Sequence, residues 1–212
     1  MTSDDIALTS IVRFPMTAYA QEKIDGANLR VSWFGGPVLG NRDHILQKAY
    51  DAKTSAKKQY IPAWNWVHAH ETELKNLIQL VGQITIYGEW MLAQHSIGYD
   101  KLADYFMAYD IWSVEENRFY SPSIVEDLLK DTSIKYIMPK LKTFASIEEI
   151  VAYSEQTSAF RDGKAEGVVI KTIASAQARY VESMFKVVNK YFVRNDNFND
   201  REIIKNKLLT LA

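Results

Sequence analysis

The chain has 212 residues, of which 47% are hydrophobic and 12% aromatic, enough apolar material for a buried core and an independent fold. Its 25 basic and 26 acidic residues leave a formal net charge of −1, which excludes attraction of polyphosphate by the molecule as a whole and leaves any nucleic-acid affinity to a local basic face. The lack of cysteine excludes disulfides and thiolate metal sites, so four histidines are the softest ligands on offer.

The opening Met1-Thr2-Ser3-Asp4-Asp5 is polar and acidic, and neither a cleavable apolar leader nor a bilayer-length apolar run is expected, so the protein is read as cytoplasmic and non-membrane. Residues 18–24 and 28–34 read as a hairpin-like strand pair around Asp25-Gly26, and Gly35-Gly36-Pro37 turns the chain into a third strand at 38–39. Residues 46–58 and 63–80 read as helices, the second from the near-helical recurrence of Trp66, Leu74, Leu77 and Leu80. His68 and His70, two apart, would point to different helix faces, which suits packing or surface roles better than a zinc site.

Residues 83–91 and 105–114 follow as strands, the latter with a polar turn at Glu115-Glu116-Asn117-Arg118. Ser121-Pro122-Ser123 opens a short helix to residue 130, with proline just inside its start, and Ser146-Ile147-Glu148-Glu149 is a capping-box pattern leading a helix to about residue 155. Strands at 165–172 and 180–188 come last, and Asn195-Asp196-Asn197 breaks the chain before a closing helix over 200–211. With no repeat or low-complexity linker, the whole of residues 1–212 is expected to form a single α+β domain.

The chemistry starts at Glu22-Lys23-Ile24-Asp25-Gly26-Ala27-Asn28. Lys-x-Asp-Gly at the end of a strand also fits a plain turn, but a lysine held there can attack a nucleotide phosphorus. A free amine has a reference pKa near ~10.4, so the site must supply desolvation or neighbouring positive charge before the neutral nucleophile exists. Three further segments follow in order: Ile84-Thr85-Ile86-Tyr87-Gly88-Glu89-Trp90; Ala165-Glu166-Gly167-Val168-Val169-Ile170-Lys171; and Met184-Phe185-Lys186-Val187-Val188-Asn189-Lys190. In order and spacing they resemble the collinear motifs of the covalent-lysine nucleotidyltransferase superfamily of RNA ligases, DNA ligases and mRNA capping enzymes. Glu22, Lys23, Gly26 and Asn28 reproduce the Glu-Lys-x-x-Gly-x-Asn opening of the ATP-dependent RNA ligase 2 family, and Arg42 matches its following arginine.

That resemblance implies a nucleotidyltransferase domain, ATP-grasp-like, of mixed and antiparallel sheets flanked by helices, without an appended C-terminal domain. It implies ATP as the nucleotide, carried as AMP on Lys23, and Mg²⁺ or Mn²⁺ as the metal. Lys23 would be the nucleophile, Glu166 the metal carboxylate, and Lys186 the cation against the α-phosphate. Glu22, Asn28, Arg42, Glu89, Tyr109 and Lys171 would line the nucleotide, with Glu89 on the ribose and Tyr109 standing where the family usually has a phenylalanine stacked on adenine. The family's last motif has two lysines separated by one residue, but here Val188 follows Lys186, leaving Lys190 or Lys171 for the second role, or a weaker first step. RNA 5′-phosphate and 3′-hydroxyl ends are the expected partners, a nicked duplex among them, and a monomer is expected. The basic cluster Lys48, Lys53, Lys57 and Lys58, near Arg42, is the expected RNA face. A small DNA ligase, a capping guanylyltransferase and a catalytically weakened nucleic-acid-binding domain of the same fold are the alternatives.

Overall fold

The structure, a computed structural model, describes residues 12–46, 58–195 and 202–209. It is an α+β arrangement of two sheets. The strands are β1 (Met16–Lys23), β2 (Ala27–Trp33), β3 (Pro37–Gly40), β4 (Ile45–Leu46), β5 (Ile84–Trp90), β6 (Phe106–Ser113), β7 (Arg118–Phe119), β8 (Lys135–Tyr136), β9 (Lys140–Phe144), β10 (Gly167–Thr172) and β11 (Ser183–Val188). The helices among the described residues are α1 (Ile61–Ala69), α2 (Glu71–Val81), α3 (Pro122–Leu129) and α4 (Ile147–Ser154). None is long and apolar enough to cross a membrane.

The smaller sheet has the order β11-β10-β1-β9, and the larger runs β4-β3-β2-β5-β6-β7 with β8 added parallel to β6. Period-two alternation decides which side of each strand faces a core. In β1, Met16, Ala18 and Ala20 are buried with Phe144, Val168, Ile170 and Ile150 of α4. In β2 and β5, Leu29, Val31, Ile84, Ile86 and Trp90 pack on Trp66 and Val67 of α1 and Leu74 and Leu77 of α2. The residues between them, Asn28, Arg30, Tyr87 and Glu89, therefore share the opposite face of the larger sheet.

The expected hairpin of the first two strands does not form: β1 pairs with β9 and β10, whereas β2 pairs with β3 and β5. Burial of the link between them is the reason. Ile24 enters a core with Met91, Tyr99, Leu102, Met107 and Ile137, and a Cβ at Gly26 would lie 2.4 Å from Met91 Sδ. Tyr99 Oη accepts the Asp25 N–H at 2.8 Å, and the Asp25 carboxylate accepts the Ser96 N–H at 2.6 Å, so a loop satisfies groups that a hairpin partner would have taken.

The helix expected over 63–80 is two, meeting at His70, whose φ of −102° and ψ of 12° leave the α region while its ring stacks on Trp66 at 3.9 Å. Of the helix expected over 46–58, Leu46 belongs to β4, and residues 47–57 lie outside the described residues. The closing helix is a correction. Residues 202–209 run extended, bridging Ala93 to Lys205 and Leu102 to Leu208, because their backbone groups find partners in the loop after β5 rather than in one another. Strands β8 and β9 had no clear alternation to betray them. Lys140 and Lys142 sit on β9, which borders only β1, and charge on such an edge discourages further pairing.

Candidate active site

Strand register builds the site. Lys23 ends β1 opposite Gly167 of β10, so Glu166, one residue earlier, lies across from it, and Lys23 Nζ donates to Glu166 Oε1 at 2.6 Å. The Glu166 side chain is only 7% exposed, against 25% for Lys23, and Glu166 Oε2 is buried without a partner. Burial raises the proton affinity of the Glu166 carboxylate, and the charges of Lys23 and, more weakly, Lys186 lower it. Lys186 pairs across from Val169 on β11 and is solvent-exposed.

The second wall comes from the larger sheet. Asn28 of β2 lies opposite Glu89 of β5. Glu89 Oε2 is also buried without a partner, and burial pushes the Glu89 carboxyl up to about 8, opposed by Lys23 and Arg42 and reinforced by Glu166 and Asp25. Register slips between Tyr87 and Gly88 where Ala108 and Asp110 follow each other in the pairing, leaving Tyr109 as the extra residue of a bulge. Bulges re-aim side chains: Tyr109 Oη accepts from Asn28 Nδ2 at 2.7 Å, while Phe106 is fully buried in the core. Tyr60 Oη donates to the Asn28 carbonyl at 3.0 Å, fixing the strand from the far side. Arg42 projects from a turn in which Asn41 Oδ1 accepts the Asp43 and His44 N–H groups, and it is exposed.

Lys23, Glu166, Glu89, Asn28 and Tyr109 are thus brought together, with Lys186 and Arg42 within electrostatic reach. Two candidates sit elsewhere. Glu22 points off the other side of β1, where its carboxylate accepts from Ser158 Oγ at 2.5 Å and the Ala159 N–H at 2.8 Å; burial raises its proton affinity against those bonds. Lys171 neither faces water nor reaches an open surface: it is fully buried, bonded to Asp110 Oδ1 at 2.6 Å and the Tyr109 carbonyl at 2.8 Å. Lys190 pairs with Glu155 at 3.0 Å. Val188, 44% exposed, shares a strand face with Lys186. Sequence reasoning missed the clamp on Asp25 by Ser96 and Tyr99. The aspartate of Lys-x-Asp-Gly was its only signal, because the partners lie some 70 residues away.

Among the described residues no group of three or more histidine or acidic side chains could hold a metal ion by itself. A hard cation that keeps waters and phosphate oxygens needs only one or two carboxylates, and the partnerless oxygen of Glu166 fits that demand.

No curated protein matches the chain. Among solved structures, Naegleria gruberi RNA ligase with PPi is similar at 19% identity and a TM-score of 0.60, covering 82% of this chain and 50% of that one. A lysine-to-alanine variant of Naegleria gruberi RNA ligase with ATP and Mn matches at 16% identity and a TM-score of 0.61, with the same coverage. The chain therefore spans about half the length of these neighbours, and the likeness shows the fold. The family model for RNA ligase matches residues 16–188, from the first strand to the last, and the chain belongs to the RNA ligase family.

Proposed function

We propose that this chain carries the nucleotidyltransferase activity of an ATP-dependent RNA ligase, with Lys23 as its covalent nucleophile. The observation that carries this reading is the Lys23–Glu166 contact on the smaller sheet, set beside Glu89 and the Asn28–Tyr109 pair on the larger one. ATP would enter with its base against the Tyr109 ring and its ribose on Glu89. Lys23 Nζ, after losing a proton, would attack the α-phosphorus; the N–P bond forms as the bond to pyrophosphate breaks. Lys186 and Arg42 would neutralise phosphate charge, and cations fixed before the reaction are the protein's main contribution to phosphoryl transfer.

A 5′-phosphate oxygen of RNA would then attack the same phosphorus and return Lys23 as the leaving amine, and a 3′-hydroxyl would displace AMP from the adenylylated end. Glu166, through the oxygen that lacks a partner, would hold Mg²⁺ or Mn²⁺, whose charge supplies phosphate neutralisation and assists loss of the Lys23 proton. The solved Naegleria ligase with ATP and Mn supports a divalent metal here. A role in RNA repair, a cytoplasmic setting and action as a monomer are part of the same proposal. So is weaker first-step chemistry from Val188, because Lys171 and Lys190 are both engaged by carboxylates.

Incubation with labelled ATP and Mg²⁺ followed by denaturing electrophoresis tests the proposal. Wild type should carry an acid-labile, base-stable label that Lys23→Met lacks. Equal labelling of the two would remove Lys23 as nucleophile. Labelling by GTP in place of ATP would favour a capping-type enzyme, and sealing of DNA nicks but not nicks with an RNA 3′-hydroxyl would favour a DNA ligase.

A further inference from the structure

The segment 202–209 lies after the last matched strand, yet it is woven into the backbone behind the nucleophile. Gln94 N–H donates to the Ile204 carbonyl at 2.8 Å, Asn206 N–H to the Leu92 carbonyl at 3.0 Å, Lys207 N–H to the Tyr99 carbonyl at 2.9 Å, and Leu209 N–H to the Leu102 carbonyl at 2.7 Å. At its centre Asn206 is 2% exposed. Its Oδ1 accepts the Tyr99 N–H at 2.8 Å, and its Nδ2 donates to the carbonyls of Met91 at 2.8 Å and Ala93 at 3.2 Å. One amide thereby satisfies three backbone groups of a loop with no ladder of its own.

Those groups lead to the site by two short routes. Met91 is two residues beyond Glu89 and packs where a Cβ on Gly26 would stand. Tyr99 turns its hydroxyl to accept the Asp25 N–H at 2.8 Å, two residues beyond Lys23, while Asp25 Oδ2 takes the Ser96 N–H at 2.6 Å from the same loop. Asn206 thus joins the end of the strand bearing Glu89 to the loop that holds the turn after Lys23.

We propose that Asn206 is a positioning residue for Lys23, acting through Tyr99 and Asp25, so that the 202–209 strap sets the rate of lysine adenylylation without touching the nucleotide. The inference rests on the proposed lysyl-AMP chemistry. Near-attack geometry tolerates little displacement, so a loosened turn lowers the rate constant rather than nucleotide affinity.

The test measures single-turnover labelling against ATP concentration for wild type, Asn206→Asp, Tyr99→Phe and the double variant. Aspartate keeps the shape and the acceptor for Tyr99 but cannot donate to Met91 and Ala93; phenylalanine keeps the ring and removes only the acceptor for Asp25. Each single variant should lose about tenfold or more in the rate at saturating ATP, with half-saturation unchanged, and the double variant should lose no more than the worse single one. Wild-type rates in Tyr99→Phe, losses that multiply, or a change confined to half-saturation would overturn the inference. If the Asn206 variant does not fold, the rate of Tyr99→Phe alone decides between these outcomes. An unlabelled wild type would instead bring down the lysyl-AMP reading and this inference with it.

Discussion

Lys23 and Lys171 stand on neighbouring strands and have opposite fates. Lys23 keeps a quarter of its side chain exposed beside a carboxylate with an oxygen to spare, whereas Lys171 is sealed against Asp110. Burial lowers the proton affinity of Lys171 and raises that of Asp110, and the charge of each opposes the shift of the other. Lys171→Met should therefore cost about 3–5 kcal/mol in urea unfolding by leaving Asp110 buried and unpaired, and Lys171→Met with Asp110→Leu should recover most of it. An unchanged midpoint in the single variant would make Lys171 a phosphate-binding candidate again. Glu89 gives a pH signature. Its folded value of about 8 lies above the ordinary 4.5, so the folded chain keeps a proton that the unfolded chain releases. The stability from this group is complete below the lower value and falls as pH rises through the window between them, by up to about 1.4 kcal/mol per pH unit. Glu166 and Glu22 are shifted the same way. In EDTA-containing buffer, Glu89→Gln should flatten the decline in wild-type stability across this window; parallel curves for the two proteins would refute the shift.

At the scale of elements, the site depends on how closely β11 approaches β10. A Cβ on Gly167 would lie 2.2 Å from the Val187 carbonyl oxygen and 2.9 Å from Val188 Cα, backbone atoms that cannot swing aside. Gly167→Ala should thus cost about 1–3 kcal/mol and pull Lys186 away from Glu166. Faster hydrogen exchange in β11 and loss of the ATP label, with every charged site residue retained, is the expected result; normal exchange and labelling would show that the strand adapts. Local pattern made most elements legible: alternation marks β5 and an apolar, aromatic run marks β6, proline and serine mark the start of α3, and Gly88-Glu89 and Glu166-Gly167 mark the strand ends that carry carboxylates. What pattern could not reveal is which sheet a strand joins. Asp25-Gly26 reads as a hairpin turn until Met91, Ser96 and Tyr99 are known to surround it. Likewise, 200–211 has helical composition, but Asn206 finds better partners in a buried loop than a helix offers. Lys171 misled for the same reason, since nothing local distinguishes a lysine at a strand end from one whose carboxylate lies in the facing sheet.

Over the whole molecule, a net charge of −1 makes RNA binding a matter of distribution rather than total. Arg42 and Lys58 are exposed, on the two sides of a stretch whose Lys48, Lys53 and Lys57 lie outside the described residues. RNA phosphates held by lysines of that stretch would be bound through charge contacts that salt weakens, whereas Lys23, Glu166 and Glu89 meet in a partly buried site where salt screens less. RNA affinity should then fall steeply with ionic strength, log K declining by roughly 0.7–0.9 for each phosphate neutralised per tenfold rise in salt. Sealing, which needs RNA held, should be lost at lower salt than self-adenylylation, which needs only ATP. A Lys53/Lys57/Lys58 triple alanine variant should keep the label, seal poorly even in dilute salt and show a shallower salt slope. Measuring label and sealing across one salt series decides the matter: equal sensitivity of the two steps, or normal sealing by the triple variant, would move the RNA path off this segment.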